Sequence, residues 1–134
     1  MKINVTVTPD QQPPLADYEH VFIQNLSQVP DASCEEVLCQ NVLDMVQNRQ
    51  DALNLVHSKV KRGGKLVIGD LDLMTFATGI VTGDLTEAQA CEVIAKSVSM
   101  QSVSAAIKSL QGLGLRVVNK KLNNSYYLIE GVRE

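Results

Sequence analysis

Two pairs of polar side chains lie where apolar segments of the sequence end, and they could hold a ligand. Gln40 and Asn41 end one such segment, and Asp70 and Asp72 follow another. Open α/β sheets bind ligands at the carboxyl ends of their strands, where amides and carboxylates form hydrogen bonds. We expect any ligand to be bound there. The alternative is that the two aspartates cap the following segment and keep it solvated.

The histidines and cysteines do not form a pattern typical of catalysis or metal binding. His20 and His57 are the only histidines, and Cys34, Cys39 and Cys91 have no metal-ligand spacing. We therefore expect buried structural thiols at 34 and 39, no metal site and no catalytic residue among them. Three unpaired cysteines also favour a reducing compartment, so we expect a cytoplasmic protein.

Composition narrows the class of protein and the range of partners. The chain has 134 residues, the size of one domain spanning residues 1–134, and a net charge of −3. An acidic chain with scattered lysines favours neither nucleic acid nor an anionic membrane as partner. Its best apolar run, residues 66–81, is interrupted by Asp70 and Asp72 and is too polar for a membrane span.

Hydrophobic periodicity predicts the elements that position these residues. We expect strands at residues 2–7, 19–23, 36–40, 65–69, 115–120 and 126–130. We expect a first helix that begins after an N-cap at Asn48 and ends in basic residues and glycines at 59–64. We expect a second helix from about 85 to 95 and a third at 102–110. The sequence predicts a loop at 26–33, a variable stretch at 70–84 and a hairpin turn at 122–125. The order predicts an α/β sheet, parallel in the middle, with an antiparallel edge.

The central part of the chain carries motifs in a family-like order. Residues 30–33 form a Pro-Asp-x-Ser turn, and an acidic pair at 35–36 leads into a strand that runs on to Asn-Val-Leu-Asp-Met at 41–45. A helix, a Gly-Gly turn at 63–64 and a strand ending in Asp70 follow. From about Tyr18 onward the chain resembles class I S-adenosylmethionine-dependent methyltransferases. The resemblance implies a Rossmann-like, mostly parallel sheet with a C-terminal antiparallel hairpin.

The N-terminal part departs from that family. Where the family has a glycine-rich cofactor turn, this chain has Val-Thr-Val-Thr-Pro at 5–9, and its first glycine is Gly63. The second predicted strand ends in Ile-Gln-Asn at 23–25, without the family's ribose-binding carboxylate. Only about eleven residues, rich in proline, separate the first two strands, too few for the usual crossover helix. We therefore expect a small, degenerate member with a reduced N-terminal half.

The resemblance and the departures lead to two functional hypotheses. The first is a non-catalytic domain without cofactor, acting through protein contacts or self-association because one sheet face is left partly bare. The alternative is an active methyltransferase with an atypical cofactor loop and a small-molecule or glycan acceptor. In that case S-adenosylmethionine is the cofactor and Asp70 and Asp72 line the acceptor rim. The cofactor-binding residues are then Val5, Thr6, Val7, Gln40 and Asn41.

Three further side chains receive structural interpretations. Asp44 replaces the acid of the family's Leu-Glu-His-like sequence, and Met45, which replaces the histidine, is expected to pack rather than react. Tyr126 and Tyr127 alternate on what we predict to be an edge strand. We expect one of them to point inward and the other to face solvent or a partner.

Overall fold

Six strands form one mixed sheet in the computed structural model, which describes residues 1–7, 17–96, 100–123 and 126–134. The strand order is β2-β1-β3-β4-β6-β5. The strands are β1 (Lys2–Thr6), β2 (Glu19–Phe22), β3 (Cys34–Gln40), β4 (Val60–Leu71), β5 (Leu115–Asn123) and β6 (Tyr126–Arg133). The helices are α1 (Arg49–Lys59), α2 (Leu73–Thr82), α3 (Glu87–Lys96) and α4 (Val103–Gly112), with a 3₁₀ helix at Ile23–Gln28.

The sheet is parallel on one side and antiparallel on the other. Strands β2, β1, β3 and β4 run parallel, whereas β6 is antiparallel to both β4 and β5. The predicted α/β class with a C-terminal hairpin is confirmed. The prediction that Tyr126 and Tyr127 lie on an edge strand is wrong, because β6 lies between β4 and β5. Tyr127 is buried and Tyr126 is half-buried, on opposite faces of the sheet.

One face of the sheet carries the hydrophobic core. Alternate residues of neighbouring strands point to it, and α1 and α4 cover it. The buried side chains of this layer include Ile3, Val37, Leu66 and Ile129 from the strands, with Leu53, Val56, Ala106 and Leu110 from the helices. Each fully buried Leu or Ile side chain contributes about 1.5–3 kcal/mol, so this layer fixes both helices on the sheet.

The Gly-Gly turn belongs to a strand and does not end a helix, which corrects the sequence prediction. Helix α1 begins after Asn48 as predicted, and the Asn48 side chain accepts a hydrogen bond from the Asp51 amide at 3.1 Å. It ends at Lys59, and Val60 already pairs with Cys34 of β3. A Cβ at Gly64 would lie 2.9–3.0 Å from three backbone carbonyl oxygens. Glycine is required there by close backbone approach at the irregular start of the β3–β4 pairing.

Two further elements were missed in the sequence. A 3₁₀ helix occupies Ile23–Gln28, so the predicted loop begins later than expected. Helix α2 occupies most of the stretch predicted to be variable. Its ends carry ordinary signals, because Asp72 is its N-cap and Gly83, with φ of 82°, ends it in the left-handed conformation. Helix α2 has no buried residue and no charged one, so it shows no amphipathic pattern of the usual kind.

Two predictions fall outside the described residues. The proline-rich connection after β1, including Thr8 and Pro9, lies mostly within residues 8–16. The Asn123–Asn124 turn of the hairpin lies partly at residues 124–125. The expected absence of a crossover helix and the expected turn conformation therefore stay predictions.

Candidate functional site

The four parallel strands end at one edge of the sheet, which we call the carboxyl edge. Strand β1 lies between β2 and β3, so the chain leaves β1 for one neighbour and later returns to the other. Ligands of open α/β sheets bind in the crevice at such a switch point. Val5 of β1 pairs with Cys39 of β3, so Thr6 and Gln40 lie side by side where this crevice begins.

The β1 side of the crevice is made of β-branched side chains. Val5 and Thr6 are buried in the sheet, and Val7 is half-buried beyond the end of the strand. On the β2 side, Gln24 and Asn25 are exposed on the 3₁₀ helix. Neither position supplies a carboxylate or a glycine.

On the β3 side, Asn41 turns the chain back against β4. Its φ of 57° is left-handed, a conformation that asparagine tolerates better than most residues. Its amide donates a 2.7 Å hydrogen bond to the Gly69 carbonyl oxygen. The following residues, Val42, Leu43 and Asp44, are fully buried. This connection is therefore part of the core rather than an open loop at the crevice.

A buried polar cluster, which we call the edge cluster, consists of Asp44, Arg49, Asp70 and Tyr127. Arg49 Nη2 lies 3.2 Å from Asp70 Oδ2 and donates to the Tyr127 hydroxyl oxygen at 2.9 Å. The Tyr127 hydroxyl in turn donates to Asp70 Oδ2 at 3.3 Å. Asp44, in the β3–α1 connection, is fully buried near these groups, and its charge acts on Asp70. Four segments of chain, from the β3–α1 connection to β6, thus contribute to one buried polar cluster.

Burial dominates the electrostatics of the edge cluster. It raises the pKa of Asp70 to about 7; the Arg49 charge opposes this rise, and the neighbouring Asp44 adds to it. Burial, reinforced by the Asp70 charge, also raises the pKa of the Tyr127 hydroxyl and of the Cys39 thiol. Cys34 and Cys39 are buried, as expected, and Cys91 is exposed.

Asp72 joins two helices to the end of β4. Its Oδ2 accepts hydrogen bonds from the Thr75 amide and hydroxyl at 3.0 and 2.7 Å, and its Oδ1 accepts one from the Val103 amide at 3.1 Å. Burial alone would raise the pKa of Asp72, but these hydrogen bonds outweigh it and hold the pKa below its ordinary value. This carboxylate therefore caps α2 and contacts the first residue of α4.

The predicted site residues divide into two groups in the structure. Val5, Thr6, Gln40 and Asn41 come together at the crevice, with Val7 next to them in the chain. Asp70 has no exposed surface and Asp72 almost none, so neither carboxylate is open to an acceptor in this conformation. Any ligand contact by these residues stays a prediction.

Two clefts lie near the carboxyl edge. One, of about 250 Å³, is lined by Gln40, Lys121, Asn123, Tyr126 and Leu128. Tyr126 lies over Gly69 beside it, and a Cβ at position 69 would be 2.6 Å from the Tyr126 hydroxyl oxygen. The other, of about 420 Å³, lies between α2 and α3 and is mostly apolar, with Phe76, Leu85 and Val93 in its wall.

Sequence reasoning missed Arg49, and it expected one of Tyr126 and Tyr127 to point inward without identifying which one. An arginine in the first helical turn is an unfavourable charge for a helix N-terminus, which was the available signal that it has a buried partner. Within the described residues no three His, Cys, Asp or Glu side chains could hold a metal. No helix in the described ranges is long and apolar enough to span a bilayer.

The comparisons with known proteins agree with this fold. A family model described as a methyltransferase domain matches residues 4–68, just under half of the chain. A SAM-dependent methyltransferase from Thermotoga maritima superimposes with a TM-score of 0.63 at 16% identity, covering 87% of this chain and 64% of that one. No curated protein matches the sequence.

Two other solved structures have a similar fold. A chain of the Haloferax volcanii complex between the Trm112 methyltransferase activator and a methyltransferase matches at TM-score 0.66 and 10% identity, over 96% of this chain and 70% of that one. Magnesium protoporphyrin IX methyltransferase from Synechocystis PCC 6803, with bound SAH, matches with a TM-score of 0.59 at 16% identity. The match covers 89% of this chain and 54% of that one. The resemblance to class I S-adenosylmethionine-dependent methyltransferases is confirmed. This chain has a methyltransferase-like fold, and it spans less than two thirds of the length of the Thermotoga enzyme.

Proposed function

We propose that this domain has kept the methyltransferase sheet as a scaffold and acts through protein contacts, first of all with a second copy of itself. The observation that carries the proposal is the exposed apolar stripe of α2. Leu73, Met74, Ile80 and Val81 are all exposed, and Met74 and Val81 expose 61% and 86% of their surface. We call these four side chains the α2 stripe.

The stripe has the geometry of a helix-packing surface. Its members are spaced one and seven residues apart, which places them along one side of the helix over two turns. On the other side of α2, Gly79 lies against Leu85, in the connection to α3. A helix of ten residues without a single charge is unusual on a protein surface, and clustered exposed apolar side chains mark interaction sites.

A second copy is the partner that this surface fits best. A two-fold axis brings the same patch of both subunits together, so the patch must be compatible with itself. The α2 stripe meets this requirement because pairing it with its copy buries apolar surface and brings no like charges together. A ten-residue helix is only about 15 Å long, so we expect a small interface and weak association.

The crevice supports the other half of the proposal, the loss of cofactor binding. The Val5 and Thr6 side chains fill the end of β1, and the Asn41 amide is already bonded to Gly69. A nucleotide cofactor needs close backbone approach and donor amides at this place. The exposed Gln24 and Asn25 offer no carboxylate for ribose hydroxyls.

Sedimentation velocity over a range of concentrations tests the contact. We expect the wild type to shift toward dimer as its concentration rises, and Met74→Glu to stay monomeric because it buries a charge against its symmetry mate. Leu122→Glu is the matched control, since Leu122 is 55% exposed but lies on β5. A wild type that stays monomeric throughout, or equal loss of dimer in both variants, would overturn the proposal.

One observation favours a second function, an active methyltransferase with an unusual cofactor loop. The strand ends and the switch point needed for cofactor binding are in place, and the Synechocystis neighbour has SAH bound. In that case S-adenosylmethionine would be held near Val5, Thr6, Val7, Gln40 and Asn41, and the acceptor would be a small molecule or glycan. Micromolar binding of the cofactor to the isolated chain would move this function to first place.

A further inference from the structure

We propose that the sheet binds an extended, acidic segment of another protein, which pairs with β5 as an added strand. The surface concerned is a groove between α4 and β5, which we call the β5 groove. It is formed by Val103, Ile107 and Gln111 of α4 and by Val118, Lys120 and Leu122 of β5. The β5 groove shares no residue with the α2 stripe or with the crevice, so this inference goes beyond the proposed function and does not depend on it.

Strand β5 has a free side. It lies at the end of the strand order, and β6 is its only neighbour among the described strands. An edge strand directs alternate amide and carbonyl groups away from its neighbour, and an added strand can satisfy them. The pairing of β5 with β6 shifts register between Val117 and Asn119 and is regular from Asn119 to Asn123. The regular segment, residues 119–123, is therefore the part of β5 that a partner strand can pair with.

The β5 groove supplies apolar contacts beside this free side. Val103 and Ile107 are half-buried on α4 and, four residues apart, lie on one side of the helix. Leu122 pairs with Tyr127 of β6, so its side chain lies on the sheet face that α4 packs against, yet Leu122 is 55% exposed. Two clefts of about 390 and 300 Å³ share Ile107 and Lys120 in their walls. The groove is therefore continuous, and an added strand can bury apolar side chains in it.

Charge selects the kind of partner. Residues 93–129 contain five basic residues and no acidic one, although the chain as a whole has a net charge of −3. Arg116 pairs with Glu134. None of the described acidic side chains pairs with Lys120 or Lys121, and both lysines are exposed. Two cations of this kind within the regular segment favour a strand that places carboxylates opposite them.

The same charges argue against a second copy of β5 as the partner. Antiparallel pairing of two copies of residues 119–123 about a two-fold axis places Lys121 opposite its own symmetry mate. Like charges directly opposite each other destabilise a strand pair, and lysines on edge strands commonly prevent such pairing. The occupant is therefore a different chain, acidic opposite the lysines and apolar opposite Leu122. Binding of this type takes its affinity from main-chain hydrogen bonds and its specificity from alternate side chains.

Titration of the isotope-labelled protein with synthetic peptides, followed by NMR, tests the proposal. The probe is Glu-Val-Glu-Val-Glu-Val-Glu with blocked ends, and the comparison peptide carries lysine in place of every glutamate. We expect saturable shifts of the backbone amides at 119–123 and of the Val103 and Ile107 methyl groups, with the acidic peptide alone. No shift with the acidic peptide, or equal shifts with both peptides, would overturn the proposal.

Backbone methylation of the probe distinguishes strand pairing from attraction between charges alone. Two further peptides carry N-methyl groups, one on its glutamates and the other on its valines. Only alternate amides of an added strand point toward β5, so we expect one of these peptides to bind like the probe and the other to lose binding. Equal binding by both, or equal loss in both, would contradict strand pairing. This comparison uses the wild type, so it holds even where a variant fails to fold.

Two charge reversals locate the contact. Lys121→Glu puts an acid within the regular segment, and we expect it to weaken binding of the acidic peptide about tenfold. Lys108→Glu is the matched control, because it changes the net charge equally and lies in the same basic stretch. Lys108 is exposed on α4 and lines neither cleft, so we expect little change in binding. Equal weakening in both variants would show a diffuse effect of charge and overturn the proposal.

Two further comparisons separate this surface from the α2 stripe and from a general polyanion site. Leu122→Glu should abolish peptide binding and leave self-association unchanged, whereas Met74→Glu should do the reverse, so the failure of one proposal is distinguishable from the failure of the other. A single-stranded oligonucleotide should not displace the acidic peptide. An oligonucleotide that binds at residues 119–123 more tightly than the peptide would overturn the proposal, because it would make the β5 groove a site for nucleic acid.

Discussion

The edge cluster and the α2 stripe come close in the chain at Asp70 and Leu73. Soluble proteins usually bury apolar side chains and expose polar ones, and these two regions depart from that pattern in opposite ways. Asp70, at the end of β4, belongs to a buried polar cluster, whereas Leu73 begins an apolar stripe that faces solvent. Buried polar groups are costly unless they satisfy one another, and exposed apolar groups are costly unless something covers them. The edge cluster meets most of its requirement within the chain, through the hydrogen bonds among Arg49, Asp70 and Tyr127. The α2 stripe does not, which is why we assign it to a partner.

This contrast assigns stability of the fold to the edge cluster and association with a partner to the α2 stripe. Removing a member of the edge cluster should damage stability and leave association unchanged, and altering the α2 stripe should do the reverse. The following changes test that division, beginning with the largest expected effect on the free energy of unfolding.

Arg49→Met should have the largest effect, because it leaves the buried Asp70 carboxyl group without its cation. Removing one partner of a buried ion pair costs about 3–5 kcal/mol, and we expect a loss of about 3 kcal/mol at pH 8. At pH 5 the loss should be smaller, because the pKa of Asp70 is about 7 and its protonation relieves the uncompensated charge. Urea unfolding at the two pH values measures both.

The matched control for Arg49 is Arg116→Met. Arg116 pairs with Glu134, but both side chains are largely exposed. Surface substitutions of this kind change stability by no more than about 0.5 kcal/mol. If the two methionine variants unfold at the same urea concentration, the edge cluster contributes no more than a surface ion pair.

Gly69→Ala should be the next in size and can be rescued. The new methyl group would meet the Tyr126 hydroxyl at 2.6 Å and the Leu128 Cδ1 atom at 3.1 Å, and overpacking of this kind costs about 1–3 kcal/mol. Tyr126→Phe removes the closest atom. In a double-mutant cycle we therefore expect part of the loss to be recovered, and strict additivity would contradict the contact.

Asp72→Ala removes the cap of α2 and the contact with the Val103 amide, at a cost of about 1–2 kcal/mol at pH 7. The folded pKa of Asp72 lies below its ordinary value, so its contribution is present above about pH 4 and is lost as the pH falls further. The difference from the wild type in urea unfolding should therefore shrink below pH 4. Asn48→Ala, which removes the cap of α1, provides the uncharged comparison, and its loss should not change with pH.

Met74→Ser should have the smallest effect on stability, within about 0.5 kcal/mol, because the side chain is mostly exposed. The same variant should weaken self-association strongly, since it removes apolar surface from the α2 stripe. Unfolding and sedimentation measured on one preparation compare the two effects. A large loss of stability would show that Met74 belongs to the core and contradict the division drawn above.

The sequence was sufficient for the parts of the fold that follow from local patterns. The apolar strand at 65–69, the Asn48 cap and the C-terminal hairpin strands all correspond to structure because each carries its own periodic or capping signal. The motif order from 30 to 70 predicted a methyltransferase-like fold, and the structure confirms that fold. The prediction that a helix ends at the glycine pair 63–64 was wrong, because glycines are typical both of helix ends and of places where two strands approach closely.

The parts that failed depend on contacts between distant residues. Arg49 and Tyr127 are 78 positions apart, and no local pattern indicates that they meet. The burial of Asp70 was not predictable either, because the direction in which a residue at a strand end points depends on what covers that face of the sheet. Helix α2 escaped notice because its apolar residues face solvent, so the periodicity that identifies a helix packed on a core was absent.

The most direct test of the central claim is calorimetric titration of the purified chain with S-adenosylmethionine and with its demethylated product. We expect no saturable heat for either ligand up to millimolar concentration, because the end of β1 is filled by β-branched side chains and lacks glycine. Saturable binding at micromolar concentration would contradict the account. It would show that the crevice between β1 and β3 still holds the cofactor and would make this domain a methyltransferase in activity as well as in fold.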